Sequence, residues 1–472
     1  MAHDWRDDRI QELEALVRAQ QALLAEQQRI IATLQRQVRA LEAQLARCSG
    51  NSSRPPSSDP PGAPPPTRPK RTGRKRGGQP GHPKQTRALV PAEQVTRSHV
   101  LKPCKCRRCG KALCGEDPTP YRHQVVDVPR VVANVEEYQM HALVCERCGI
   151  STRAILPEGV PMGQFGPRLQ AMIALCSGDY RLAKRETEQL VEDFFGIPIA
   201  LGSVANLERA TSEAVAEPVA EVARAIGQQA VVHADETGWY ERSGRAWLWG
   251  AVATSMALFL VRKSRGATIA KELLGAAFDG ILITDRWSAY GWLDVGRRQL
   301  CWAHLVRQFR GFQDYGTESQ AIGRALEILS DTMFHLWHRV RDRTLSRAAF
   351  QGLMQPLRAQ VNAWLKDGAS CAERAVSGRC REILALEPAL WTFVEAPGVE
   401  PTNNAAERIL RQGVLWRKGS FGTDSPRGSQ FVERILTVVT TLRLQKRNVL
   451  DYLTVACEAA LRGAPAPSLL PA

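Results

Sequence analysis

The chain has 472 residues, 44% of them hydrophobic and 24% charged, with a formal net charge of +15. That length allows two to four domains around a sizeable core, and the composition is that of a globular protein with some non-globular parts. No apolar run is long enough to span a bilayer, and the charged, helix-forming N-terminus lacks a signal-peptide pattern, so a membrane is excluded and a cytoplasmic protein is expected.

The charge is concentrated. Between Arg68 and Lys111 there are fourteen Lys or Arg and one acid, Glu93, so this segment carries +13 of the +15. Such a block points to a polyanion, most often nucleic acid; a solvated basic linker is the alternative. Twelve cysteines, some in CxxC pairs, suggest metal chemistry in a reducing compartment rather than a disulfide framework.

In chain order, residues 8–47 predict a coiled coil. Ile10, Val17, Leu24, Ile31, Val38 and Leu45 recur every seven residues, and Leu13, Gln20, Gln27, Leu34 and Leu41 form the second seam position. β-Branched residues at the first position with Leu at the second favour two parallel strands, hence a homodimer. The alternative, one amphipathic helix docked on its own domain, would follow a 3.6-residue period instead. "SGNSSRPPSSDPPGAPPPT" is then a stiff, exposed Pro/Ser linker. It leads into "RPKRTGRKRGGQPGHPKQTR", whose Gly and Pro forbid a helix. Arg71, Arg74, Lys75 and Arg76 therefore lie on an extended arm suited to a DNA groove or backbone.

Two CxxC knuckles follow, Cys106 with Cys109 and Cys145 with Cys148. The stretch between them, "HQVVDVPRVVANVEEYQMHALVC", reads as β-strands joined near Pro129. Together they predict a zinc-ribbon-like module holding one structural Zn²⁺ on four thiolates, although 35 intervening residues exceed the usual spacing. Cys104 and Cys114 are spare ligand candidates; His123 and His141 read as strand residues. Residues 166–226 read as all-helical. A helix ending near Phe195, a turn at Gly196 and a second helix capped by Ser203 have a helix-turn-helix rhythm, with a plain helical hairpin as the equal alternative.

From Gln229 the pattern changes. "AVVHADETGWY", "AWLWGAVAT" and "ALFLVRKS" are successive strands, "ATIAKELLGAAF" a helix, and "GILITDRWSAY" a further buried strand. This order matches a ribonuclease-H-like topology, in which the first and fourth strands lie side by side. Asp235 and Asp285, at the ends of those strands, would then face one another. Two adjacent carboxylates repel unless a cation lies between them, and oxygen-only ligands suit Mg²⁺. A pair of metals about 3.5–4 Å apart needs a third carboxylate. Glu407 in "EPTNNAAERILRQ" is the candidate, on a helix started by Thr402 or Asn403. A surface pair with Arg411 is its bland alternative. Glu236, Glu400 and Glu433 are next in line for the role. After it, "VLWRKGSFGTDSPRGSQ" reads as a Gly/Ser loop whose Arg417, Lys418 and Arg427 could grip phosphates, and "FVERILTVVTTLRL" as a closing helix.

These residues carry a resemblance. "HADET", "TDRWSAY" and "TNNAAERILR" resemble the three catalytic motifs of insertion-sequence-66 family transposases of the TnpC type, with a DDE catalytic domain. "GGQPGH", the knuckles and the coiled coil resemble that family's N-terminal half. "CWAHLVRQF", with Cys301 and His304, resembles a Cys-x-x-His motif lying between the second and third acids, near the active site. Trp287 departs from the Tyr more usual there. The resemblance implies Asp235, Asp285 and Glu407 as catalytic acids holding two Mg²⁺ (or Mn²⁺) ions, and a helical insertion before the last acid. It also implies double-stranded DNA as element end and target, small companion proteins, and a bacterial, nucleoid-associated setting.

The expected fold class is multidomain α+β. A coiled coil over 1–47 and a disordered linker and arm over 48–100 precede a zinc-binding module over 101–160 and a helical DNA-binding region over 161–228. A ribonuclease-H-like core follows over 229–315, with an all-helical insertion over 316–398 and the end of the core over 399–472. The expected function is a DNA transposase; a non-enzymatic DNA-binding regulator and a junction nuclease are the alternatives.

Overall fold

A computed structural model describes residues 5–45, 51, 87–242 and 244–471. The basic arm, with Arg71, Arg74, Lys75 and Arg76, lies outside the described residues, as does most of the Pro/Ser linker.

Helix α1 (Trp5–Leu45) runs unbroken for 41 residues. Its apolar seam residues, among them Ile10, Leu24, Ile31 and Leu41, are all at least half exposed. The helix thus presents an apolar stripe to solvent along most of its length, which is the pattern of an element whose partner is another chain or segment.

Residues 87–160 bury almost nothing. Strands β1 (Ala142–Val144) and β2 (Ser151–Arg153) pair antiparallel around the second CxxC, and a single antiparallel bridge, Lys105 to Ala112, brackets the first. The strands expected from residue 123 onward are otherwise not formed. Val125, Val126, Val128, Val132 and Val135 stand exposed on an extended chain that belongs to no ladder. Alternating valines say that a chain would gain from a covered face; they do not say what covers it.

Helices α2 (Pro167–Gly178), α3 (Lys184–Phe195), α4 (Leu201–Ala214) and α5 (Ala216–Ile226) follow. Gly196 ends α3 in the left-handed conformation at φ 64°, where a glycine carries no Cβ penalty. The expected Ser203 cap is corrected: α4 begins earlier, with Ala200 at the cap position. Ser203 lies in the first turn, its N–H bonded to the Ala200 carbonyl at 2.8 Å. Apolar Leu201 could enter the helix early because no capping side chain was needed to start it.

The central sheet contains β3 (Val231–Glu241), β4 (Gly244–Val252), β5 (Ala257–Arg262), β6 (Ile281–Thr284) and β7 (Arg298–Leu300), in the order β5-β4-β3-β6-β7. The first three strands form an antiparallel meander. Helix α6 (Ala267–Leu274) then carries the chain across, so that β6 pairs parallel to β3 and β7 parallel to β6. Side chains alternate along β3. Val232, Ala234 and Glu236 are buried on one face with α5 and α6; His233, Asp235 and Thr237 point to the other.

That second face is covered by α12 (Asn404–Ser420) and α13 (Pro426–Leu444), through Ala406, Ile409, Leu410, Val432 and Leu436 against Trp239, Leu248 and Phe259. Two glycines permit the approach. A Cβ on Gly250 would lie 3.1 Å from Leu410, and one on Gly413 would lie 2.1 Å from Leu248. Helix α13 also shields the edge strand. The amides of Ala257, Phe259 and Val261 donate to Thr441, Thr437 and Glu433 at 3.1, 3.1 and 2.7 Å, occupying groups that an open edge would leave free to pair. The segment expected as a Gly/Ser loop after residue 413 is corrected: α12 continues to Ser420, and only five residues separate it from α13.

Between β7 and α12 the chain makes five helices, α7 (Trp302–Phe312), α8 (Thr317–Arg341), α9 (Arg347–Ser370), α10 (Arg374–Ala385) and α11 (Pro388–Glu395). They share a core of their own, with Trp302 against Trp391 and Trp337 against Phe350 and Phe393, continuous with Ile283 and Leu300 of the sheet. The excursion closes on itself: the Trp302 N–H donates to the Pro401 carbonyl at 2.9 Å. A long insertion therefore returns the chain to the sheet end it left. A last helix, α14 (Val449–Leu461), packs on α2 and α4.

Candidate active site

Parallel register brings the two aspartates together. His233 pairs with Ile283, so Asp235 and Asp285, each two residues further on, reach the same level on neighbouring strands. Asp235 Oδ1 accepts the Glu236 N–H at 2.9 Å, and Asp285 Oδ1 accepts the Trp287 N–H at 2.8 Å. Each carboxylate is thus oriented through one oxygen, while the other takes no hydrogen bond among the described residues.

Glu407 lies in the first turn of α12. The surface pair with Arg411 is not formed. Instead Glu407 Oε1 faces α7, 3.7 Å from Arg307 and 3.7 Å from His304 Nδ1. Both distances exceed a hydrogen bond, and Glu407 Oε1 and His304 Nδ1 are buried atoms without a hydrogen-bond partner among the described residues. Burial pushes the Glu407 carboxyl up; Arg307 opposes this and Asp285 adds to it. Burial also raises Asp235 well above its ordinary 3.8, with Glu236, Asp285 and Glu407 contributing further. Asp235, Asp285 and Glu407 therefore sit within electrostatic reach of one another. They are not closed up: among the described residues, the group of three His, Cys, Asp or Glu donors gathered within 4.8 Å is Cys301, His304 and Glu407. Like charges gathered in this way repel unless a cation lies among them, and their oxygens are of the type that suits a hard divalent ion.

The competing acids are committed elsewhere. Glu433 is tied to β5 and Arg262, and Glu400 accepts the Trp337 indole N–H at 3.2 Å. Glu236 projects to the opposite face of the sheet. There its carboxylate takes the Tyr290 hydroxyl at 2.8 Å and Arg265 at 2.7 Å.

Sequence reasoning missed the residues that hold this site. Asn403 occupies the cap position of α12 without making a capping bond. Fully buried, it donates from Nδ2 to the Ala234 carbonyl at 2.8 Å and meets His233 Nδ1 at 3.2 Å, while its backbone N–H donates to Cys301 Sγ at 3.1 Å. The polar turn "PTNN" is thus a strut from α12 to β3 and α7, and the His two residues before Asp235 was the available signal. Burial holds His233 down at about 4. Arg265 was also missed. It pairs with Glu236 and stacks 3.9 Å from the centre of the Trp287 ring and 4.7 Å from that of Trp247. Trp287 in turn donates its indole N–H to the Arg265 carbonyl at 3.0 Å and its backbone N–H to Asp285. The Trp that departs from the usual Tyr is the shelf beneath Asp285.

Cations ring the site. Arg286 is held by Gln308 and by Glu382 of the insertion, and Arg298 is buried; Arg286, Arg298 and Arg307 each keep at least one buried N–H group without a partner. Arg417 donates one N–H to the Gly238 carbonyl of β3; Lys418 is exposed.

Far from the sheet, the two CxxC turns share one geometry. The Cys106 and Cys145 N–H groups donate to Lys111 and Ile150 at 2.8 and 2.9 Å, and Gly110 and Gly149, both at φ 72°, donate back to Cys106 and Cys145 at 3.0 and 2.8 Å. Backbone hydrogen bonds lower the Cys106 and Cys145 thiols. The turns do not bring Cys106, Cys109, Cys145 and Cys148 within 4.8 Å of one another.

The model of the Transposase IS66 family matches residues 162–431, more than half of the chain, from the helical region through the sheet, the insertion and α12 into α13. The chain belongs to the IS66 transposase family. A second model, described as a family of unknown function, matches residues 3–88. Two proteins of Sinorhizobium fredii are similar. Uncharacterized protein y4qI is 26% identical over 256 residues, 48% of this chain and 46% of that protein. Uncharacterized protein y4hP is 25% identical over 402 residues, 75% of this chain and 70% of that protein. The chain thus spans about half the length of the first of these relatives. The IS66 match covers all three acidic motifs, Asp235, Asp285 and Glu407, together with Cys301 and His304.

Proposed function

We propose that this IS66-family member is an active DNA transposase that cleaves insertion-element ends and joins the freed 3′-hydroxyl ends to target DNA. The observation that carries the reading is the meeting of Asp235 and Asp285 on adjacent parallel strands with Glu407 across from them on α12. The strand order, three antiparallel strands then two parallel ones beside the first, supports a ribonuclease-H-like core. Residues 229–315 and 399–472 would form that core and 316–398 its insertion.

Asp235, Asp285 and Glu407 would hold two Mg²⁺ (or Mn²⁺) ions, which when bound supply charge neutralisation at the phosphoryl group and a more acidic water. The chain's own residues set the geometry. Glu236 and Trp287 amides aim the two aspartates, and Asn403 anchors the helix that carries Glu407. Arg286 and Arg307 bring positive charge toward the phosphate. His304, which burial and the nearby Arg307 and Arg286 hold at about 3, is neutral at physiological pH and acts as a hydrogen-bonding group rather than an acid.

End recognition would fall to the basic arm, a zinc module on Cys106, Cys109, Cys145 and Cys148, and the α3–α4 helix pair, with Lys418 as an accessory phosphate contact. The exposed seam of α1 supports pairing of two chains as a coiled coil. Companion proteins and a nucleoid location belong to the same reading. The test is incubation of the full chain with labelled element-end DNA, target DNA and Mg²⁺. Strand-transfer product is expected. Binding without cleavage would favour a regulator, and cleavage of branched DNA without joining a junction nuclease.

A further inference from the structure

One cluster beside the proposed active site is unlike the rest of it. Cys301 Sγ, a ring nitrogen of His304 and a carboxylate oxygen of Glu407 all lie within 4.8 Å of one another. The three come from two directions. Cys301 caps α7 and His304 follows one turn later, its N–H bonded to the Cys301 carbonyl at 3.1 Å, so their side chains share one side of the helix start. Glu407 arrives from α12.

His304 Nδ1 and Glu407 Oε1, 3.7 Å apart, are both buried and without a hydrogen bond among the described residues, a separation close to the spacing of two ligands on one ion. The sulfur is buried and already accepts the Asn403 N–H at 3.1 Å, the kind of outer contact that steadies a thiolate ligand.

We propose that Cys301, His304 and Glu407 form a separate site for one thiophilic divalent cation of the zinc class, and that filling it draws Glu407 away from Asp235 and Asp285. Sulfur, nitrogen and oxygen donors at these distances fit a tetrahedral ion after a contraction of about 1 Å, with the fourth position left for water. Mg²⁺ prefers oxygen ligands and does not compete for the thiolate, so the two sites sort cations by chemistry. Arg307 faces the same Glu407 oxygen, but it is a long side chain whose Nε has no hydrogen bond among the described residues, and it can release that oxygen. The binding rests on geometry alone. The inhibition rests also on the proposed role of Glu407.

Co²⁺ is the probe. Metal-free full-length protein is titrated with Co²⁺ alone, and absorption is compared between wild type, Cys301→Ser and His304→Gln. The CxxC thiols contribute equally to all three, so the difference isolates this site. A thiolate-to-cobalt band lost in Cys301→Ser, d–d bands altered in His304→Gln, and persistence of both under excess Mg²⁺ are expected. A wild-type spectrum identical to both variants overturns the site. Zn²⁺ is then added to the Mg²⁺-dependent cleavage assay. Wild type should lose activity, and Cys301→Ser should keep a larger share of its own zinc-free activity. Equal loss in both removes the inhibitory role while leaving the binding result standing. Absence of cleavage under every condition removes the transposase reading and leaves the cobalt result as the measure of the site.

Discussion

The end of the sheet and the CxxC segment both bring ligand-type side chains into order, by different means. At the sheet end, residues far apart in the chain meet because buried apolar faces hold their elements together: Asn403 is pinned to Ala234, and α12 sits on Leu248 and Phe259. In residues 87–160 the order is local. Each CxxC turn is closed by its own backbone hydrogen bonds, no residue of either turn is buried, and the four thiols are not gathered within 4.8 Å. A turn of a few residues can form without a core, but bringing two such turns together requires a metal or a partner surface.

The largest effect expected from this difference is at the acids. Asp235→Asn, Asp285→Asn and Glu407→Gln should each lower DNA cleavage about 10²–10³-fold or more while leaving the fold and DNA binding in place. Near-normal cleavage by Glu407→Gln beside two inactive Asp variants would place the third acid elsewhere. The CxxC segment should respond the other way round. The purified protein should contain about one zinc per chain. Its removal should abolish hydrogen-exchange protection around residues 101–160 and leave the unfolding transition of the sheet unmoved. A shift of the main transition on chelation would show that the segment is part of the core after all.

Packing offers a sharper, smaller test. In an exposed helix Gly→Ala stabilises by roughly 1 kcal/mol. Gly413→Ala should instead destabilise by about 1–3 kcal/mol, because its Cβ would meet buried Leu248. Denaturant unfolding reads the sign directly.

The smallest effect is in pH dependence. Asp235 holds its proton more tightly folded than unfolded, so its contribution to stability is full below its ordinary 3.8 and is lost as pH rises through the higher folded value. Asp235→Asn should therefore match wild type near pH 4 and exceed it at neutral pH without metal. Added Mg²⁺ should stabilise wild type more than the variant. Equal stability at both pH values would mean that the carboxylates do not repel.

The long apolar runs of 229–300 were legible because period and burial agree there: they form strands, although Asp235 lies within β3, which runs on to Glu241, and only Asp285 follows the end of its strand. Glu407 was legible as a lone acid after a polar turn, but its surroundings were not. The sequence offers Arg411 four residues on, whereas the structure offers Arg307 and His304 from α7, which only the closure of the insertion brings near. The knuckle strands failed for the opposite reason. Alternating valines predict a face that wants cover, and the described residues provide none.

By itself, the sequence determined what is local: the heptad of α1, the two CxxC turns, the strand periodicity, and the types of residue that could carry phosphoryl chemistry. Only the tertiary structure decided where each of the other candidate acids lies. It turned Glu236 to the opposite face of the sheet, tied Glu433 to β5 and Glu400 to Trp337, and turned Glu407 toward Cys301 and His304. The reason is physical. Periodicity along a chain fixes which side chains share a face, while the partner of each face is chosen by packing between elements distant in sequence.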